Sequence, residues 1–269
     1  MDLFVRESGP VDAPAIVFLH GGLMSGWTWE PVVARMPRYH CLVPDLPQYG
    51  KSFQAGPFEM GRAAGAIAEL IRTRVRTGRA HLVGLSLGAQ VGVRLLGTEP
   101  GLVDRAVLSS TFVNTMPAVQ LTRRLAGFAA RTDLFRWLLI NRHWNAHHAA
   151  RNPGYHDDAR LNSGAHLAHI TTASAGFTLP PGLDKSNVPT LFVTGGEEIR
   201  IIRRWAAMLA HTMPYGVDRI ALGMGHDWPL HSPDLFSRTV DAWLEGTALP
   251  PEIREPPAPG GRLRDRPHR

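Results

Sequence analysis

Apolar residues occur along this chain in short unbroken runs, separated by stretches in which they recur every three or four positions. The runs read as strands: "AIVFLH" (15–20), "HCLVPDL" (40–46), "RAHLVGL" (79–85), "DRAVLSST" (104–111), "VPTLFVTGG" (188–196) and a last one at 217–222. A strand that is apolar throughout is buried on both faces, as in the middle of a parallel sheet. The intervening stretches predict helices near 29–36, at 59–77 ended by Gly78, and at 86–96, 200–212 and 233–245. "DLFVRES" at the start alternates and then turns at Gly9-Pro10, the pattern of an edge strand. Strands alternating with helices predict an α/β fold, a mostly parallel sheet flanked by helices.

The alternation breaks once. From 115 to 187 no strand pattern is found, while Leu121/Leu125/Phe128 and Leu134/Leu138 keep helical spacing. A structureless stretch of that length is rare in a compact domain. The pattern therefore predicts a helical cap at 115–187 inserted into a core formed by 1–114 and 188–246. Residues 247–269 are rich in Pro, Gly and Arg with little to bury, and are expected to be disordered.

Composition narrows the function classes. A chain of 269 residues supports one large core. The formal charge is +6, of which the five Arg and three acids of residues 251–269 supply +2. No basic stripe or nucleic-acid motif is present, so no nucleic-acid partner is expected. The single cysteine, Cys41, excludes an intramolecular disulfide and is expected to be a small buried hydrophobe in a reducing compartment. The N-terminus lacks a basic region followed by a longer apolar one, and no apolar run approaches 18 residues. A cytoplasmic protein without stable membrane insertion is expected.

Candidate chemistry begins at "HLVGLSLGAQ" (81–90), where Ser86 lies between Gly84 and Gly88 at the handover from a predicted strand to a predicted helix. That context suits a nucleophile elbow, in which small neighbours let strand and helix pass closely and the hydroxyl projects from the sheet edge. The helix N-terminus beneath it offers N–H groups to a developing negative charge. A serine hydroxyl needs a base. Among thirteen histidines, His226 in "ALGMGHDWPL" follows the last predicted strand of the alternation, on a glycine-flanked loop that converges on the same crevice. "LFVTGGEEIR" ends the strand before it with Glu197 and Glu198, either of which would serve as the acid that orients the base. Acids there would also favour the dipole of the following helix.

Taken together these segments resemble the α/β-hydrolase family, from the first strand to about Gly246. "HGG" (20–22) resembles its oxyanion loop, and "PDLPQYGKS" (44–52) its Asp-x-x-Gly-x-Gly-x-Ser segment, with Gln48 where glycine is usual. The resemblance implies backbone oxyanion donors at Gly22 and Leu87. It also implies a triad of Ser86, Glu198 and His226, the acid lying three residues after Gly195, with Glu197 as the alternative. A helical cap, no cofactor and a small-molecule ester substrate are further implications. Thioester, lactone, amide and carbon–carbon bond hydrolysis use similar parts, and a slow-turnover ligand-binding protein on this fold is the competing class.

Other features fit plain packing as well as a functional role. Trp27 and Trp29 either line the acyl pocket or pack in the core. His143/His147 ("HWNAHH") and "HLAH" (166–169) lack further ligands for a zinc site, so no metal is expected and solvated cap histidines are. Arg123, Arg124, Arg131, Arg136 and Arg142 make the first half of the cap basic, which fits a helix with one solvated face, or attraction to an anionic surface.

Overall fold

A computed structural model describes residues 2–114, 153–162 and 164–257, with Leu121, Leu125 and Phe128. The apolar runs form strands β1 (Val5–Ser8), β2 (Ala15–Leu19), β3 (His40–Pro44), β4 (Ala80–Leu85), β5 (Val103–Ser109), β6 (Thr190–Gly195) and β7 (Gly216–Ala221), joined by a short β8 (Ile253–Arg254). They make one sheet in the order β1-β3-β2-β4-β5-β6-β7-β8. Its six inner strands are parallel, and β1 and β8 pair antiparallel at the two edges.

The period-2 alternation of each strand sends side chains to two cores. Ala15, Val17, Leu19, Ala80, Leu82, Ala106 and Leu108 face one; Ile16, Phe18, Val83, Leu85 and Val107 face the other. The helices divide accordingly. The first core is covered by α2 (Met60–Arg74) and α3 (Leu87–Thr98), with a later helix at Arg200–Thr212. The second core packs against α1 (Glu30–Val33) and helices at Trp228–His231 and Pro233–Glu245. Buried Ala63, Ala64, Ile67, Ala68 and Ile71 show the one-sided spacing that docks α2. Within the segment expected to form the cap, the described residues hold two helices, α4 (Pro153–Leu161) and α5 (Gly164–Ala175). The later helices are numbered α6 (Arg200–Thr212), α7 (Trp228–His231) and α8 (Pro233–Glu245). No helix among the described residues is long and apolar enough to cross a membrane.

Three expectations need correction. The helix predicted at 29–36 is a 3₁₀ turn, Gly26–Trp29, followed by the single α-turn of α1; Pro37 disfavours helical geometry at Met36 and so ends it early. The helix predicted to reach residue 77 stops at Arg74, because Val75 is already extended. Disorder from residue 247 onward is overturned up to the last described residue, 257. There β8 pairs with β7, Ala221 opposite Ile253, and buried Ile253 joins the second core. One buried isoleucine and a paired edge are enough to anchor a segment whose composition is otherwise that of a tail.

What positions the site is the approach of α3 to the sheet. A Cβ built on Gly88 would lie 2.2 Å from the Leu19 carbonyl oxygen, and one on Gly84 would lie 2.9 Å from Ala89 Cα. Both obstacles are backbone, so neither can swing aside. Replacing Gly88 by Ala is expected to cost about 1–3 kcal/mol through overpacking, read as a lower denaturation midpoint. An unchanged midpoint would show that α3 is not held this close.

Candidate active site

Ser86 is the single residue between β4 and α3. Its backbone stands at φ 53°, ψ −110°, outside the regions ordinarily open to an L-residue. The strain persists because both backbone groups are tied: the Ser86 N–H donates to Ser109 O at 2.9 Å, and its carbonyl accepts from Gln90 N–H at 3.0 Å. Leu87 opens α3, so its N–H has no carbonyl one turn back to satisfy it. Gly22 adjoins it, since a Cβ built on Gly22 would lie 4.0 Å from Leu87 Cβ. The two expected oxyanion donors thus sit on neighbouring segments beside Ser86.

The loop carrying Gly22 is fixed from the core side. Leu46 N–H donates to His20 Nε2 at 2.9 Å, so the ring proton is on Nδ1 and donates to the Gly21 carbonyl at 2.8 Å. Burial pulls the His20 imidazole down to about 4, keeping it neutral in that role. Fully buried Asp45 is the second anchor. Its carboxylate accepts from Gly26 N–H and Lys51 N–H, both at 2.8 Å, and pairs with Arg6 at 2.7 Å. The Asp-x-x-Gly segment therefore organises loops. Gln48, replacing the usual glycine, takes a left-handed φ of 64° and accepts from Phe58 N–H through Oε1 at 2.6 Å.

Glu198 and His226 are brought together. His226 Nδ1–H donates to Glu198 Oε1 at 2.6 Å, while Glu198 Oε2 accepts from Gly195 N–H at 2.9 Å and Ser110 Oγ–H at 2.7 Å. Glu198 is buried; Glu197, the alternative acid, is exposed and meets the His226 loop only through its backbone, to Met224 O. Burial pulls the His226 imidazole down, but the hydrogen bond and charge of Glu198, with the charge of Asp227, outweigh it and hold its pKa above the ordinary value. Behind the acid lies a directional chain of buried donors. Trp228 Nε1–H donates to Ser109 Oγ at 3.0 Å, and Ser109 lies 3.3 Å from Ser110 Oγ. Because the Ser110 proton is given to Glu198, Ser109 supplies the proton between the two serines.

Sequence reading missed Ser109, Ser110 and Trp228. The available signal was a run of hydroxyls, Ser109-Ser110-Thr111, ending an otherwise apolar strand, and a tryptophan two positions after His226. The two tryptophans it did name part company. Trp29 is core, packed between Phe18 and Phe236. Trp27 is also buried, and its indole N–H donates to Asp158 Oδ2 of α4 at 2.7 Å. His166 is likewise no solvated cap residue. It is buried against the Tyr49 and Phe53 rings, and burial, then the nearby His169, lowers its pKa to about 4. His169, which is exposed, meets the Phe58 carbonyl at 2.8 Å.

His143, His147 and the five cap arginines 123, 124, 131, 136 and 142 lie outside the described residues. Among the described residues no cluster of three or more His, Cys, Asp or Glu is placed to hold a metal. The Cys41 thiol is buried, and burial pushes its pKa up to about 12, which leaves it unreactive.

Comparison with known proteins bears on the family and the fold. Residues 16–239 match the family model described as "Alpha/beta hydrolase family". A carboxylesterase of Bacillus subtilis is 30% identical over 140 residues, covering 50% of this chain and 47% of that enzyme. The chain thus spans about half the length of that relative. A 2-succinyl-6-hydroxy-2,4-cyclohexadiene-1-carboxylate synthase of Serratia proteamaculans is 25% identical, covering 89% of this chain and 96% of that one. The crystal structure of an enol-lactonase from Burkholderia xenovorans superposes with a TM-score of 0.71 at 22% identity, over 90% of this chain and 96% of the other. With the elbow, the sheet order and a family match over most of its length, the chain belongs to the alpha/beta hydrolase family of enzymes.

Proposed function

We propose that the protein is a serine hydrolase that cleaves a small to medium carboxylic ester through an acyl-enzyme on Ser86. The observation that carries this reading is the 2.6 Å bond from His226 to Glu198, at the sheet edge where the strained Ser86 elbow stands. With Nδ1 committed to the acid, Nε2 serves as the base.

In this mechanism His226 Nε2 takes the Ser86 proton as Oγ bonds to the substrate carbonyl carbon. The carbonyl electron pair moves to oxygen, which the N–H groups of Gly22 and Leu87 receive. Collapse breaks the bond to the alcohol oxygen, and His226 returns its proton to that leaving group. Water repeats the sequence, releasing the carboxylic acid and restoring Ser86. Each oxyanion donor is worth about 3 kcal/mol in such a step. The name of the Bacillus relative favours an ester. The same residues would also open a thioester or a lactone, so the acyl and alcohol parts are decided by the pocket.

Hydrolysis of p-nitrophenyl acetate and butyrate tests the assignment. Ser86→Ala is expected to lower turnover by at least about 10⁴-fold, and Glu198→Gln by about 10³-fold or more. Wild-type turnover in Ser86→Ala would refute it. The pH profile is a separate check, because only neutral His226 accepts a proton. The negative charge of Glu198 favours the imidazolium, so the rate should rise with pH through a midpoint above the ordinary histidine value of about 6.5. In Glu198→Gln that midpoint should move down. A midpoint that stays in place would mean that the two side chains are not coupled.

A further inference from the structure

The loop from Gly22 to Trp27 is held from the cap as well as from the core. Gly154, Asp158 and Asn162, four residues apart along α4 and just past its end, share one face. All three meet that loop. A Cβ added to Gly154 would lie 2.5 Å from Trp27 Cδ1, so α4 rests directly on the indole ring. Asp158 Oδ2 accepts the Trp27 indole N–H at 2.7 Å, and the same carboxylate is hydrogen-bonded by the side chain and backbone of Ser25. Asn162 Nδ2–H donates to the Leu23 carbonyl at 3.2 Å. Asp158, Ser25 and Trp27 are all buried. Leu23, directly after Gly22, holds a left-handed φ of 68° that a leucine does not adopt without support.

From this juxtaposition we infer that α4 is part of the oxyanion apparatus. Asp158 and Asn162 are positioning residues that hold residues 23–27 so that the Gly22 N–H faces the reacting carbonyl, and seating of the cap completes the hole. The inference rests on Gly22 being an oxyanion donor. His20 and Asp45 fix the two ends of the loop, at Gly21 and Gly26. Between those ends, Leu23 and Ser25 are held by α4, as is Trp27 just beyond. A displaced α4 would release the donor, linking turnover to the seating of α4 on this loop. The carboxyl of Asp158 is suited to a buried latch. Burial pushes it up to about 6 despite the bonds from Trp27 and Ser25, and Asp45 nearby adds to the rise.

The test is steady-state hydrolysis of p-nitrophenyl butyrate by the full chain, with thermal melting to confirm the folded fraction of each variant. Donor geometry acts on the transition state, so Asp158→Ala and Trp27→Phe should each lower kcat about 5- to 20-fold with KM within about threefold. The double variant should fall no further than the worse single one, because both remove the same contact. Asp158→Asn keeps an acceptor for the indole and should recover kcat to within about threefold of wild type. Asn162→Ala, a milder cut on the same loop, guards against failure of Asp158→Ala to fold and should lower kcat about 2- to 5-fold.

Wild-type kcat in folded Asp158→Ala and Asn162→Ala would overturn the inference while leaving Ser86 catalysis intact. Strictly multiplicative losses in the double variant would do the same. Full activity in Ser86→Ala would instead remove the catalytic reading first, and this inference with it.

Discussion

Everything at this site depends on the close passage of α3 across the sheet. Gly84 and Gly88 leave no room for a side chain between helix and strand, and the backbone turns within a single residue, Ser86. A non-glycine residue held at such φ and ψ costs of the order of 1–3 kcal/mol. The cost is sustained by the buried packing of β4 and α3 and by the two backbone hydrogen bonds of Ser86. In return the serine stands alone between strand end and helix start, beside the first amide of the helix. One packing constraint thus positions both Ser86 and the Leu87 N–H, the proposed nucleophile and oxyanion donor.

Glu198 and His226, the proposed acid and base, are placed differently, on loops at the ends of β6 and β7. Their alignment relies on hydrogen bonds that bury a carboxylate without leaving it unsatisfied: Gly195 N–H, Ser110 and His226 share the two oxygens of Glu198. The Trp228–Ser109–Ser110 chain orients those hydroxyls, so that the proton on Ser110 points at the acid. Chains of this kind polarise along their length, and each member is locked by the next. The loop that carries Gly22 combines both strategies, held by His20 and Asp45 from the core and by α4 from the other side.

Much of this was legible in the sequence. Unbroken apolar runs gave away the parallel strands because burial on both faces leaves no room for polar alternation. The Gly-x-Ser-x-Gly spacing could be read because the elbow has few steric solutions. That His226 and Glu198 would meet could be read from their place after β7 and β6. The misses have physical reasons. Trp27 and Trp29 have identical local signals, and only tertiary packing sends one into the core and the other to α4. His166 looked like a solvated cap residue because nothing in "HLAH" reveals that Tyr49 and Phe53 wait opposite. Asp158 and Ser110 carry no motif at all, since their partners lie 131 and 88 positions away in sequence. Residues 253 and 254 were read as tail because a two-residue strand has no period.

The central claim is that Ser86 is an activated nucleophile in an assembled site. A fluorophosphonate tests this most directly, because it phosphonylates only a serine whose proton is removed as it attacks, with loss of fluoride. Intact-mass measurement of the wild-type protein should show one phosphonyl group added per chain, and peptide mapping should place it on Ser86. The folded Ser86→Ala variant should gain none. Absence of labelling on folded wild-type protein, or labelling at any other residue, would contradict the account.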